Sequence, residues 1–295
     1  MISSPDINAI YQQLIKDLLK NGISSAPRGK GVIELPNVGF MLENARNSII
    51  TIKSRKLNYA YAAIEMFGLL REGKMNVEPY TWYNSQMKQF LNPEHNTWDG
   101  SYGNRIYLYD QLEKMAEILK ADPNSRRAVL SLYNPAHDFH DYESRDVCCT
   151  LSLIFSIRDG ALNLTCTMRS NDIMLGLPYD LTQFTFLQSV LATWLGITVG
   201  WYYHFTANLH AYEEHFDKLK EISEDTAVST KWDTMPRWDC SDATETKRLL
   251  EHFFAYDGCR RLGHNNVVCP KSSFLSQLDE KVFKPYVTMK LNKAK

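Results

Sequence analysis

Two adjacent cysteines, Cys148 and Cys149, stand in a stretch, residues 147–157, whose alternate positions are apolar. A cysteine there is either a small core residue or, beside a positive charge, a thiolate able to attack an electron-poor carbon. Asp159-Gly160 predicts a tight hairpin, and folding the chain back on that turn sets position 149 near 169–170, which makes Arg169 the candidate cation. Arg126-Arg127 precede a strand. Their two planar forks of donors suit a phosphate, and the pair fits a solvated surface as well. Glu65 lies inside a stretch, residues 60–70, that is apolar nearly all round, and a buried carboxylate with no task costs roughly several kcal/mol. Residues 168–180 hold the densest polar cluster and lead into an apolar helix, so Asp180 is a helix cap or a ligand-binding acid. His210 and Tyr212 read as packed rings or as hydroxyl-binding side chains.

Other chemistries lose their support. No cysteine pair has C-x-x-C spacing, no H-E-x-x-H occurs, and neither a phosphate loop nor a G-x-G-x-x-G turn is present, so no metal is expected. Six cysteines in 295 residues are too sparse for a disulfide scaffold and are expected to be free thiols. With 33 Lys+Arg against 34 Asp+Glu the chain has no global basic field, so neither nucleic acid nor an anionic membrane is an expected partner. No apolar run reaches the ~18 residues of a membrane span. The first residues lack the basic-then-apolar pattern of a signal peptide, which gives the cytoplasm as the expected location.

The elements that must position these residues follow from periodicity. Helical spacing marks residues 6–20, stopped at Gly22, then 60–70, 110–120 and 181–195, with another helix around 212–222. Strands are predicted over 128–133, 147–157, 162–168 and 198–205, with Val147, Cys149, Leu151, Leu153, Phe155 and Ile157 on one face. Without repeats or a flexible linker, one domain over 1–295 is expected, of the α+β class, with helices on a mostly antiparallel or mixed sheet.

In order and spacing these elements resemble the thymidylate synthase family. The likeness rests on Pro27-Arg28-Gly29-Lys30-Gly31, Ile64-Glu65-Met66-Phe67, Tyr102-Gly103 and residues 122–127. It continues through Cys149, Arg169-Ser170-Asn171-Asp172, residues 176–180 and His210-Ala211-Tyr212, with intervals of 20, 11 and 30 residues between Cys149, Arg169, Asp180 and His210. The resemblance implies a Cys149 thioether at C6 of a pyrimidine nucleotide, with Glu65 ordering water and Asp180 on the base. It implies 5,10-methylenetetrahydrofolate as one-carbon donor, contacted by Asp172, Trp82, Tyr102 and Gly176. Arg28, Arg169 and Ser170 would hold the 5′-phosphate, and His210 and Tyr212 the sugar. Arg126 and Arg127 would reach the phosphate from a second subunit, in a homodimer built on the sheet.

Departures from the family pattern sharpen the expectation. Thymidylate synthases carry Asn where this chain has Asp180, and a carboxyl complements the amino edge of cytosine. Cys148 and Thr150 replace the Pro and His beside the catalytic cysteine, Met168 replaces a Gln, and the last residues lack an apolar tail that seals the site from water. The resemblance therefore implies hydroxymethylation of dCMP. A dCMP methylase, a hydroxymethylase acting on CMP, and a nucleotide- or RNA-binding regulator without catalysis are the alternatives.

Overall fold

The computed structural model describes residues 2–71, 76–139, 144, 146–264 and 266–293. Its strands are β1 (Ile2–Ser4), β2 (Ile23–Ser25), β3 (Val32–Leu42), β4 (Val129–Ser131), β5 (Thr150–Arg158), β6 (Ala161–Met168), β7 (Asn171–Asp172) and β8 (Thr198–Tyr212). They form one sheet in the order β1-β3-β8-β6-β5-β4, with β2 also on β3 and β7 also on β8. Pairings β1–β3, β6–β8 and β7–β8 are parallel and the others antiparallel, so the sheet is mixed and the class is α+β as predicted.

The helix Leu177–Trp194 is buried on almost every side. Its buried donors find acceptors: Gln188 Nε2 donates to the carbonyls of Leu162 and Trp201, and Thr185 Oγ1 to Ser48 Oγ and to the carbonyl of Leu181. The helix Tyr59–Gly68 packs on it. Phe67 places its ring 5.8 Å from Phe186, 4.9 Å from Phe253, 6.2 Å from Phe274 and 6.1 Å from Phe283. Aromatic side chains from the last third of the chain thus support the helix that carries Glu65.

Two expectations about strands are corrected. Cys148 and Cys149 precede β5 instead of lying within it, and a register shift between Thr150 and Ser152 breaks the predicted single face over 147–157. An inserted residue of this kind reverses the alternation, so Thr150, Leu153 and Phe155 are the buried positions. The strand predicted to end at Phe205 continues to Tyr212, because β3 pairs with it on one side and β7 on the other. The helix placed around 212–222 accordingly starts at Phe216. β3 had no sequence signal. Pro36-Asn37 reads as a turn, but Asn37 passes through φ 55° while the pairing with β8 keeps its register.

Candidate active site

The sheet topology alone gathers most of the site. β6 and β8 run parallel and end at the same edge, while β3 and β5, each antiparallel to one of them, begin there. That edge therefore carries Arg169 and Ser170 after β6, His210 and Tyr212 on β8, Asn171 and Asp172 on β7, Cys149 just ahead of β5, and the Arg28 turn ahead of β3. The hairpin turn has Asp159 at φ 52° and Gly160 at φ 71°, the pair of positive angles for which an Asp-Gly turn is suited.

Arg169 is tied to the cysteine segment at four points. Its backbone N–H donates to the carbonyl of Cys149 at 2.9 Å. Nε donates to the carbonyl of Cys148 and Nη2 to that of Val147, both at 2.9 Å, and Nη2 lies 3.5 Å from Cys149 Sγ. Burial pushes the Cys149 thiol up, with Arg169 opposing that shift, Asp180 adding to it and Arg28 opposing it more weakly. Cys148 is 1 % exposed, and its sulfur contacts the carbonyl of Thr150. The two cysteines thus divide into a core thiol and a site thiol.

Two carboxyls on helices adjoin this region, with the charge of Asp180 acting on both the thiol and Glu65. Asp180 is 7 % exposed and lies within the first turn of the Leu177–Trp194 helix, whose cap position is Gly176, so the cap reading of Asp180 does not hold. Burial raises it to about 7, against the hydrogen bond from Asn171. Glu65 is raised further, to about 8, by burial; the Tyr61 hydroxyl, which donates to Oε1 at 2.5 Å, opposes this and the charge of Asp180 adds to it. Glu65 Oε2 is buried without a partner. Tyr102 completes the group: it accepts from the Thr150 hydroxyl at 2.9 Å, and its ring sits 5.6 Å from that of Phe184.

At the β7–β8 side, Ser170 Oγ and His210 Nδ1 are 3.3 Å apart, with Asn208 Oδ1 3.2 Å from the same nitrogen. The His210 and Tyr212 rings meet edge to face at 5.7 Å. Asp172 accepts the N–H groups of Met174 and Leu175 on Oδ1, each at 2.7 Å, and leaves a buried Oδ2 with no donor. Arg28 is exposed at φ 53° in its turn.

The ring contacts of Trp82 are with residues outside this group, and two predicted arginines start far from the thiol. Trp82 packs its ring against Tyr83 and Tyr286, with Lys290 Nζ 4.3 Å and the Arg261 guanidinium 5.7 Å from its centre. Arg126 and Arg127 are exposed next to β4. The Ala128 carbonyl accepts from the N–H of Phe155, six residues along the strand from Cys149, so the arginine pair starts roughly 20 Å from the thiol of its own chain.

Residues 9–246 match the family described as Thymidylate synthase. The chain belongs to the thymidylate synthase family. Among similar proteins are a deoxyuridylate hydroxymethyltransferase of Bacillus phage SP01, 33 % identical over 230 residues, which are 73 % of this chain and 59 % of that one. A thymidylate synthase of Clostridium beijerinckii is 27 % identical over 71 % of this chain and 79 % of its own. A deoxyuridylate hydroxymethyltransferase of Delftia phage PhiW-14 is 26 % identical over 66 % of this chain and 57 % of its own. The chain thus spans less than two thirds of the two phage relatives' length. No helix among the described residues is long and apolar enough to cross a membrane.

For this member of the thymidylate synthase family, sequence reasoning gave no role to Tyr61, Thr150 or Asn171. Tyr61 had a signal, since it lies four residues before Glu65 on one helix face. Asn171 lies between Ser170 and Asp172, and Thr150 follows the cysteine. Only the contacts give these three a role.

Proposed function

We propose that the protein transfers a one-carbon unit to C5 of dCMP and hydrates it to 5-hydroxymethyl-dCMP, in a single catalytic domain. The observation that carries this reading is a buried Asp180 carboxyl, poised at about 7, in the same site as the Cys149 thiol. Near neutral pH such a carboxyl shares a proton with ring N3 and accepts from the N4 amino group of cytosine. Two relatives named for deoxyuridylate favour a second reading, the same chemistry on dUMP.

The chemistry begins with the Cys149 thiolate adding to C6, which makes C5 nucleophilic. Asp180 stabilises the negative charge that addition pushes onto N3. C5 bonds to the one-carbon unit and loses its proton, and that carbon's bond to the carrier nitrogen then breaks, the nitrogen leaving with the electron pair and taking a proton. Glu65, with its free Oε2, orders the water that adds to the resulting exocyclic methylene, and cleavage of the C6–S bond returns the thiol. 5,10-Methylenetetrahydrofolate supplies the carbon at the oxidation level of formaldehyde. The unpartnered Oδ2 of Asp172 fits the N–H donors of its pterin, with Tyr102 and Gly176 alongside. Arg28, Arg169 and Ser170 would hold the phosphate, and His210 and Tyr212 the sugar.

A homodimer belongs to this reading. β8 alternates buried Tyr202, His204 and Thr206 with part-exposed Trp201, Tyr203 and Phe205, an aromatic sheet face suited to a second copy. Arg126 and Arg127, too far from their own thiol, would serve the partner's phosphate.

The test is incubation with dCMP or dUMP and methylenetetrahydrofolate, following absorbance at 340 nm and the product mass. Hydroxymethyl-dCMP without an absorbance rise is expected. A rise would mean dihydrofolate and methylation, and turnover of dUMP alone would overturn the cytosine assignment.

A further inference from the structure

A neutral carboxyl does not by itself distinguish the two pyrimidines. Protonated on one oxygen it offers a donor to N3 and an acceptor to the N4 amino group of cytosine. Protonated on the other it offers an acceptor to N3–H and a donor to O4 of uracil. Discrimination needs something that decides which oxygen bears the proton.

Asn171 stands where it can do this. It is 3 % exposed on β7, and its Nδ2 donates to Asp180 Oδ2 at 2.7 Å. The contact has room because residue 176 is glycine: a Cβ there would come 3.1 Å from Asn171 Nδ2 and 3.3 Å from Asp180 Oδ2. An oxygen that accepts an amide N–H is kept as an acceptor, and the proton goes to its twin. We propose that Asn171 is a specificity-determining positioning residue, which holds Asp180 Oδ2 as the acceptor for the N4 amino group and leaves Oδ1 to share the proton with N3. The inference rests on the cytosine reading of the site.

The other groups whose charge meets Asp180 are Glu65 from the Tyr59–Gly68 helix, Asp172 on β7, Cys149 ahead of β5, Tyr102, and Cys166 and Tyr202 on β6 and β8. All of them stay in place when Asn171 alone is changed, so a change in pH response reports the lost donor.

The experiment measures dCMP and dUMP dissociation constants, without the folate, for the wild-type protein, Asn171→Ala and the similarly sized Asn171→Leu, which has no donor, at several pH values. The wild type should prefer dCMP. In both variants the dCMP-to-dUMP preference should fall roughly tenfold, mainly through tighter dUMP binding. In Asn171→Ala the pH midpoint of dCMP binding should move upward, because the donor that favours the carboxylate is gone. A structural role alone would weaken both nucleotides together, and an unchanged preference in two folded variants overturns the proposal. A wild type that prefers dUMP overturns the cytosine reading and this inference with it, whereas the variants test the inference alone.

Discussion

The guanidinium of Arg169 lies 3.5 Å from the sulfur of Cys149, while the backbone N–H of the same residue closes the hairpin on the Cys149 carbonyl. Strand pairing therefore fixes the distance between thiol and charge, and no loop has to be ordered to bring them together. Burial holds the resting thiol protonated, and Arg169 is the first force against it. Replacing Arg169 with Gln should raise the thiol further and slow its alkylation by iodoacetamide at neutral pH, with the rate profile displaced to higher pH. Mass spectrometry of the Cys149 peptide measures this, and an unmoved profile would remove Arg169 from the activation of the thiol.

Asp180→Asn changes the hydrogen-bond pattern offered to the base. An amide donates to O4 and accepts from N3–H, so kcat/KM should turn from dCMP toward dUMP by at least roughly tenfold. Competition between the two nucleotides in one reaction reads the ratio directly; retention of the original preference would remove the carboxyl from base selection.

Tyr61→Phe deletes the donor to Glu65 Oε1. That bond favours the ionised carboxyl, so without it Glu65 should titrate above its present value of about 8. If the carboxylate is the form that orders water, the rising limb of the kcat profile should shift to higher pH while dCMP binding stays constant. A profile identical to wild type would argue that Glu65 is not the titrating group.

His204 gives a stability signature independent of catalysis. Its Nδ1 meets the Tyr202 hydroxyl at 2.8 Å, its ring stacks on Phe40, and its Nε2 is buried without a partner. Burial lowers it to about 3, so the folded chain stays unprotonated there while an unfolded one takes up a proton near 6.5. Stability should fall as pH drops from about 6.5 toward 3, by at most about 1.4 kcal/mol per pH unit from this group. Urea unfolding of His204→Phe should show a shallower loss over that window, even though Tyr202 loses its contact with the imidazole.

Two inactive variants should rescue each other if Arg127 acts across subunits. An equal mixture of Cys149→Ala and Arg127→Glu chains, unfolded and refolded together, should recover roughly a quarter of wild-type activity, because half the dimers hold one intact site. Sedimentation of each variant checks that dimers form, and no recovery from a mixture shown to contain mixed dimers would confine the arginine to structure.

The sequence by itself determined the class of fold, the family, and the identity of the residues now found along one sheet edge. Arg169 opposite Cys149 was legible because a two-residue turn fixes hairpin register, and Glu65 because an acid in an apolar helix has few innocent explanations. Periodicity was blind where local signals mislead. Pro36-Asn37 hid a long strand whose pairing with β8 overrides its turn-like residues, and a bulge after Thr150 reversed an alternation that looked continuous. The helices beyond Ala243 went unread for the same reason, since contacts made across the whole chain hold Phe253, Phe274 and Phe283 against Phe67. Only the tertiary structure decided which buried acceptors already have donors. Asp180 paired with Asn171, and Glu65 Oε2 and Asp172 Oδ2 left open, are facts of how differently folded segments pack. Such relationships depend on packing, which residue type and spacing along a chain do not encode one position at a time.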